Sequence, residues 1–329
     1  MVDAWAVRLQ PGLEAMPKIK IALLICFLTS TGLLSALTNA AQSAGKPTVL
    51  NFPNQPVGRY YLIKAAADPE HDGAFSRIMA AVGAVTVPAG YGIDLTLNYN
   101  GSQNTKFLRS LPSGIIRKLT CRDLEITDEA VEDFCSQKGL VLLNLQGADI
   151  TDNGIKHLSS MKGLRKLSLS DTLITVKGLS VLSSLPNLEN LNLSRMALGD
   201  TVSTPLQALK NLYILDLTGT QLTDKAVINL PAFPNLCSLI LRRNNLTDKC
   251  IDSIRRYRNL QVIDLTDTHV TGEGLKRLKG LPHLHTVIFR TDGLKPGDRM
   301  QLKKLMPVLR IEDGSREKFV PREIFAPLH

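Results

Sequence analysis

The feature that most constrains this chain is a repeat of 24 residues that never slips. Leu140, Leu164, Leu188, Leu212, Leu236, Leu260 and Leu284 each open a copy, with no insertion or deletion between them. One step back, Ile116 opens a copy that keeps Leu119, Leu124 and Ile126 in register. A further step back loses the first leucine to Gly92, yet Leu95, Leu97 and Phe107 still match. Forwards, Val308 and Ile311 begin a copy that stops almost at once. A unit this short cannot bury its own apolar face, so a fixed period of this kind implies stacked units sharing one core.

Within a copy, apolar residues occupy positions 1, 4, 6 and 11, then 16 and 19, as in Leu212, Leu215, Leu217, Leu222, Val227 and Leu230. Spacing of two predicts a short strand over about positions 3 to 7, and spacing of three predicts one face of a short helix. Thr-Asp pairs such as Thr223-Asp224 stand between them. The hydroxyl suits a helix cap, and an acid in the first turn suits the helix dipole.

The pattern LxxLxLxxTxITDxGLxxL resembles the leucine-rich repeat, in a 24-residue bacterial form with Thr where many members carry Asn or Cys. The resemblance runs from about Leu95 to Ile311. It implies an α/β fold: a leucine-rich repeat solenoid with a curved parallel sheet on the concave side and short helices on the convex side. Two departures stand out. Cys121 replaces a strand leucine, and the copy from Leu188 reads Gly199-Asp200 and then Pro205, which predicts an irregular helical segment there. For function the resemblance implies binding, since one such scaffold serves many ligands.

The rest of the chain divides around the repeats: an extension and signal over 1–40, a linker and N-terminal cap over 41–91, repeats over 92–311 and a tail over 312–329. Lys18 and Lys20 precede the apolar run from Ile21 to Leu37, which ends in small residues. That layout is a secretory signal with cleavage after Ala40, which places the mature protein in the periplasm, at the cell surface or outside the cell. Retention of the same run as a membrane anchor is the alternative. Met16, directly before "PKIK", is an alternative start. Pro47, Pro53 and Pro56 mark the linker. The next segment reads as a strand, an acidic turn, a helix over 74–82 and a strand ending at Val87.

Signals for catalysis are absent from the sequence. His283 and His285 flank Leu284, and His269 lies past the neighbouring strand, so no pair is held for acid–base work. There is no nucleophile elbow, phosphate loop or metalloprotease helix, and no CxxC or Cys/His ligand spacing. A non-enzyme without metal or cofactor is expected. Cys121 and Cys250 read as small core residues, Cys250 at the position of Gly154, Gly178 and Ala226.

Positions 3, 5 and 7 flank the inward leucines and point out of the sheet. In the N-terminal copies they are mostly small and polar; in the C-terminal copies Ile214, Ile240, Val262 and Ile288 mix with Asp216 and Asp264, bordered by Arg242, Arg243 and Arg290. Apolar residues among paired charges are the composition of a protein-binding patch, so a protein or peptide partner on this face is the first expectation. A second candidate follows from a formal net charge of +9. Arg255, Arg256, Lys279, Lys303 and Lys304 fall at helix ends of three successive copies and would form a convex basic ridge suited to an anionic envelope polymer or lipid. Tyr257 is the one aromatic among these bases, too few for stacking on nucleic acid, and a monomer is expected.

Overall fold

The chain divides into two units, Met1–Pro47 and Thr48–His329. The computed structural model describes residues 46–64, 78–307 and 309–313. The signal or anchor segment with its Ile21–Leu37 run, the acidic turn over 68–73, Val308 and the tail from residue 314 onward lie outside the described residues.

Every repeat delivers a strand in the expected place. These are β5 (Tyr91–Leu97), β6 (Ile116–Thr120), β7 (Leu142–Asn144), β8 (Lys166–Ser168), β9 (Asn190–Asn192), β10 (Ile214–Asp216), β11 (Ser238–Ile240), β12 (Val262–Asp264), β13 (Thr286–Phe289) and β14 (Arg310–Asp313). They pair in parallel, each with the next in sequence. The register sets equivalent residues side by side, as in Leu215↔Leu239 and Leu239↔Ile263. The inward leucines Leu143, Leu145, Leu167, Leu169, Leu215, Leu217, Leu239 and Leu241 are fully buried, and so are Val227, Ile251 and Leu275 from the helical segments. One apolar core therefore runs through all copies.

The strands of β7 to β12 are shorter than the spacing predicts and end at position 5. In four of the six a side chain marks the end, whereas β8 and β11 stop at Ser168 and Ile240 without such a bond. Asn144, Asn192, Asp216 and Asp264 turn back and accept the N–H of Gln146, Ser194, Thr218 and Thr266, two residues on, at 2.8–3.0 Å. Such turns offer the backbone an alternative to the ladder. The residue at position 8 then takes the left-handed conformation, in Gly147 and Gly219 but also in Asp123, Asp171, Arg195, Arg243 and Asp267.

Helical segments vary in kind. Asp128–Phe134, Asp224–Asn229 and Gly272–Lys276 are α-helical, while Ile155–Ser160 and Gly178–Ser184 are 3₁₀ turns. Short connectors readily take the tighter form. The copy from Leu188 is irregular as expected, with two 3₁₀ turns, Gly199–Ser203 and Pro205–Ala208, the proline opening the second.

The Thr-Asp pairs do more than cap. Thr223 and Thr247 do accept an N–H within their own turns, at 3.3 Å. The aspartate, however, faces the following copy. Asp128 takes both the N–H and the hydroxyl of Thr151, at 2.7 and 2.6 Å. Asp152 binds Thr175, Asp200 binds Thr223, Asp224 binds Thr247 and Asp248 binds Thr271 in the same two-pronged way. One junction inside this run lacks the clamp, and it lacks both halves: Val176 stands where the aspartate would be and Gly199 where the threonine would be. The carboxylate also explains the small residue that stands in the following copy three places after the threonine it holds. A Cβ on Gly178 would lie 2.2 Å from Asp152 Oδ1, with a similar clash at Gly154 against Asp128.

At the N-terminal edge, β2 (Gly58–Lys64) pairs antiparallel with β5 along its whole length. Phe52 and Tyr60 stack at 6.2 Å between ring centres, and Phe52 reaches Phe107 at 6.0 Å, which continues the core into this segment. Two expectations are corrected here. Part of the proline-marked linker is the strand β1 (Thr48–Asn51), paired antiparallel with Ala84–Val87. Met79–Ala80, expected within a helix, pairs with Arg59 and Tyr60 as strand, because hydrogen bonding to β2 outweighs local helical spacing.

Candidate binding face

The outward row of the sheet lies at positions 3 and 5. At position 5 the register sets Asp216, Ile240, Asp264 and Ile288 side by side on four adjacent strands. These four residues are more buried than an open sheet face implies: Ile240 is 5% exposed, Ile288 1%, Asp216 7% and Asp264 3%. This corrects the expectation that Ile240 presents a free apolar side chain. In-register neighbours stand about 4.8 Å away on both sides and leave it little open surface. Ile214 and Val262, at position 3, keep part of theirs.

The arginines divide likewise. Arg242 keeps only 12% of its side chain exposed, its Nε 3.7 Å from Asp267. Arg243 and Arg290 remain about half exposed, and both reach Asp267 at 3.4 Å. The guanidinium of Arg290 is already engaged, with its Nε and Nη2 on Asp292, at 3.1 and 2.6 Å. Asp171 and Arg195 pair across neighbouring strands at 3.4 Å.

Sequence reasoning missed the row at position 8. Arg195 and Arg243 sit at φ +60° and +56° where two sister copies use glycine. A non-glycine residue there costs roughly 1 kcal/mol. The signal was Gly147 and Gly219, which share a position with charged residues and mark a backbone shape that side chains resist.

The buried acids are the second unforeseen feature. Burial pushes the carboxyl of Asp216 up to about 6, with the charge of Asp264 adding to the effect and Thr218 and Arg195 opposing it. Asp264 is raised as well, burial first, against Thr266 and Arg242. Around them lie polar atoms buried without a hydrogen-bond partner among the described residues: Ser168 Oγ, Asn190 Oδ1, Ser238 Oγ, Arg242 Nε and Thr266 Oγ1. Three of them, Ser168, Asn190 and Ser238, lie on the outward row, and Arg242 and Thr266 lie two residues past the ends of their strands.

On the helical side, Arg255, Lys279, Lys303 and Lys304 are exposed. Arg256 is not a free member of this ridge. Its guanidinium donates to the carbonyls of Val227 and Ile228 at 2.6 and 3.0 Å and lies 5.1 Å over the Tyr257 ring. Cys121, Cys135, Cys237 and Cys250 are free and buried. Burial raises the Cys135 thiol to about 11 and the Cys250 thiol to about 12, far from a reactive thiolate. Among the described residues no group of three or more His, Cys, Asp or Glu could hold a metal ion. No helix among them is long and apolar enough to cross a membrane.

A family model described as Leucine Rich repeat matches residues 258–279. The match supports a leucine-rich repeat family. Those residues contribute β12 and the helix Gly272–Lys276, with the buried Ile263, Leu265, Val270 and Leu275. The mixed α/β architecture, with its large and mostly parallel sheet, is compatible with leucine-rich repeats throughout. Such repeats are typically interaction modules rather than enzymes. No curated protein is similar enough to match the chain.

Proposed function

We propose that this chain is an exported, non-enzymatic leucine-rich repeat protein, a solenoid that binds a protein or peptide partner on the concave face of its sheet. The observation that carries the reading is the mixture of charge on the outward surface. Arg195, Arg243 and Arg290 stand among Asp171, Asp267 and Asp292, partly exposed and paired, three of the four pairs between neighbouring copies. A polyanion would meet these acids as well as the bases, whereas a protein surface can match both signs. The half-exposed Arg243 and Arg290, rather than the buried Ile240 and Ile288, are therefore the first contacts expected.

Replacing Arg243 and Arg290 together by Glu should abolish capture of the partner from an envelope extract, and replacing Lys303 and Lys304 by Glu should leave it intact. The helical ridge is the second reading, favoured by the exposure of Arg255, Lys279, Lys303 and Lys304. Capture that survives at the sheet and fails at the ridge, and that collapses in high salt, would make the chain an envelope protein held to an anionic polymer or lipid.

Export rests on Lys18, Lys20 and the apolar run that follows. Sequencing of the protein recovered from cells should find its first residue near Ala41. A soluble cytosolic chain that retains Ile21 to Leu37 would refute export, and recovery from membranes would favour the anchor.

A further inference from the structure

The junction without a clamp, between the copies from Leu164 and Leu188, is tied on one side only. At the sheet, β8 and β9 pair in register, and the N–H groups of Leu169 and Asp171 reach the carbonyls of Asn192 and Ser194 at 2.9 and 3.0 Å. Side chains add to this. Arg165 grips Glu189 through Nε and Nη2, both at 2.8 Å, and the buried hydroxyls of Ser170 and Ser194 meet at 2.7 Å. Asp171 pairs with Arg195 at 3.4 Å. In the turns that lead back to the strands, Asn211 donates to the Pro186 carbonyl at 3.0 Å.

The helical side is different. At the junctions before and after this one, Asp152 holds Thr175 and Asp200 holds Thr223, each by two bonds. Here Val176 brings no acceptor, and Gly199 turns away. Thr223 is extended, at φ −107°, and its N–H is bound by Asp200 of the preceding copy. Gly199 is left-handed, at φ +60°, and its N–H goes forward to the Thr220 carbonyl at 3.0 Å. Among the described residues no hydrogen bond or ion pair joins Gly178–Ser184 to Gly199–Ser203 or Pro205–Ala208. Apolar packing remains, through the buried Leu179, Leu182, Val202 and Leu206. Such packing has no preferred direction and does not hold the two sides in one arrangement.

We propose that this junction is a hinge, whose helical side opens in the folded chain while its sheet side stays paired. Two missing hydrogen bonds to a carboxylate weaken one side of one interface, in an array whose stability sums over such interfaces. Local opening begins where its cost is least. The hinge sets the arginine-bearing copies, with Arg195, Arg243 and Arg290, on one side and the copies from Ile116 to Leu164 on the other. It stands whether or not the sheet face binds a partner.

Amide hydrogen exchange of the full chain tests this, because the repeat supplies matched probes. Met161, Leu185 and Leu209 share one repeat position and one bond, from N–H to the carbonyl three residues back, at 2.8–3.1 Å. All three follow 3₁₀ turns, but the turn before Met161 lies between two clamps. After correction for intrinsic rates, Leu185 and Leu209 should exchange faster than Met161 by roughly tenfold or more, as for the loss of a hydrogen bond to a charged group. Leu145, Leu169 and Leu193 should exchange alike, since each N–H bonds the next strand at 2.9 Å and Leu169 does so across the hinge. Asp152→Ala, which removes a clamp beside Met161, should bring Met161 to the rate of Leu185. Equal rates at Met161, Leu185 and Leu209 in the unaltered chain would overturn the hinge. A Leu169 that exchanges faster than Leu145 and Leu193 would overturn it too, by showing that the sheet side parts as well. A Met161 rate unmoved by Asp152→Ala would refute the missing clamp as its cause.

Discussion

Replacing Asp224 by Ala is expected to lower the stability of the repeat unit by about 2–3 kcal/mol, read as a lower urea midpoint. Its carboxylate receives the Thr247 N–H at 2.8 Å and the Thr247 hydroxyl at 2.6 Å. Hydrogen bonds to a charged acceptor contribute about 1.5–3 kcal/mol each when buried, and the partial exposure of this pair reduces that. The first-turn acid of Asp224–Asn229 is lost as well, at about 0.3–1 kcal/mol. Thr247→Val removes the hydroxyl alone, so a double-mutant cycle of the two should return a coupling of about 1 kcal/mol. Lys225→Ala, exposed beside the aspartate, should change little. An Asp224→Ala midpoint equal to that of Lys225→Ala would show that the clamp contributes nothing.

How much of this was legible depended on whether a residue's role closed within one copy. Strand positions and the buried leucines followed from spacing, because Leu215 and Leu217 must face one side whatever their neighbours do. The irregular copy followed from Pro205, which restricts its own backbone. The clamp did not follow. Thr-Asp read as a cap within one turn, while its second function joins neighbouring copies through residues 23 apart. Its signature was nonetheless written in the chain, since Val176 and Gly199 drop the two halves at one and the same junction.

The binding face was only half legible. Alternation says which side chains point out of the sheet, but not how far in-register neighbours enclose them. Ile240 and Ile288 were therefore expected to be open and are buried, whereas Arg243 and Arg290 keep about half their surface. The cost of Asp216 was hidden for the same reason, because burial is a property of the assembled sheet and its register.

That cost gives a pH-dependent result. Asp216→Asn is expected to stabilise the chain at neutral pH by roughly 2–3 kcal/mol and to leave it unchanged near pH 4. Burial raises the folded-state carboxyl from 3.8 to about 6, with Asp264 adding to it. Each unit corresponds to about 1.4 kcal/mol. Between those values the folded chain holds a proton that the unfolded chain has released, so the stability contributed by the neutral acid is present below about pH 4 and lost as pH rises through about 6. Asparagine carries no charge to desolvate and makes the same strand-ending bond in two sister copies. Its advantage should therefore appear across that window and hold above it. Denaturation midpoints of the two proteins at pH 4 and pH 7.5 measure this directly. A gain of equal size at both pH values would trace the effect to packing rather than charge, and a loss at pH 7.5 would show that the carboxylate stabilises the folded chain.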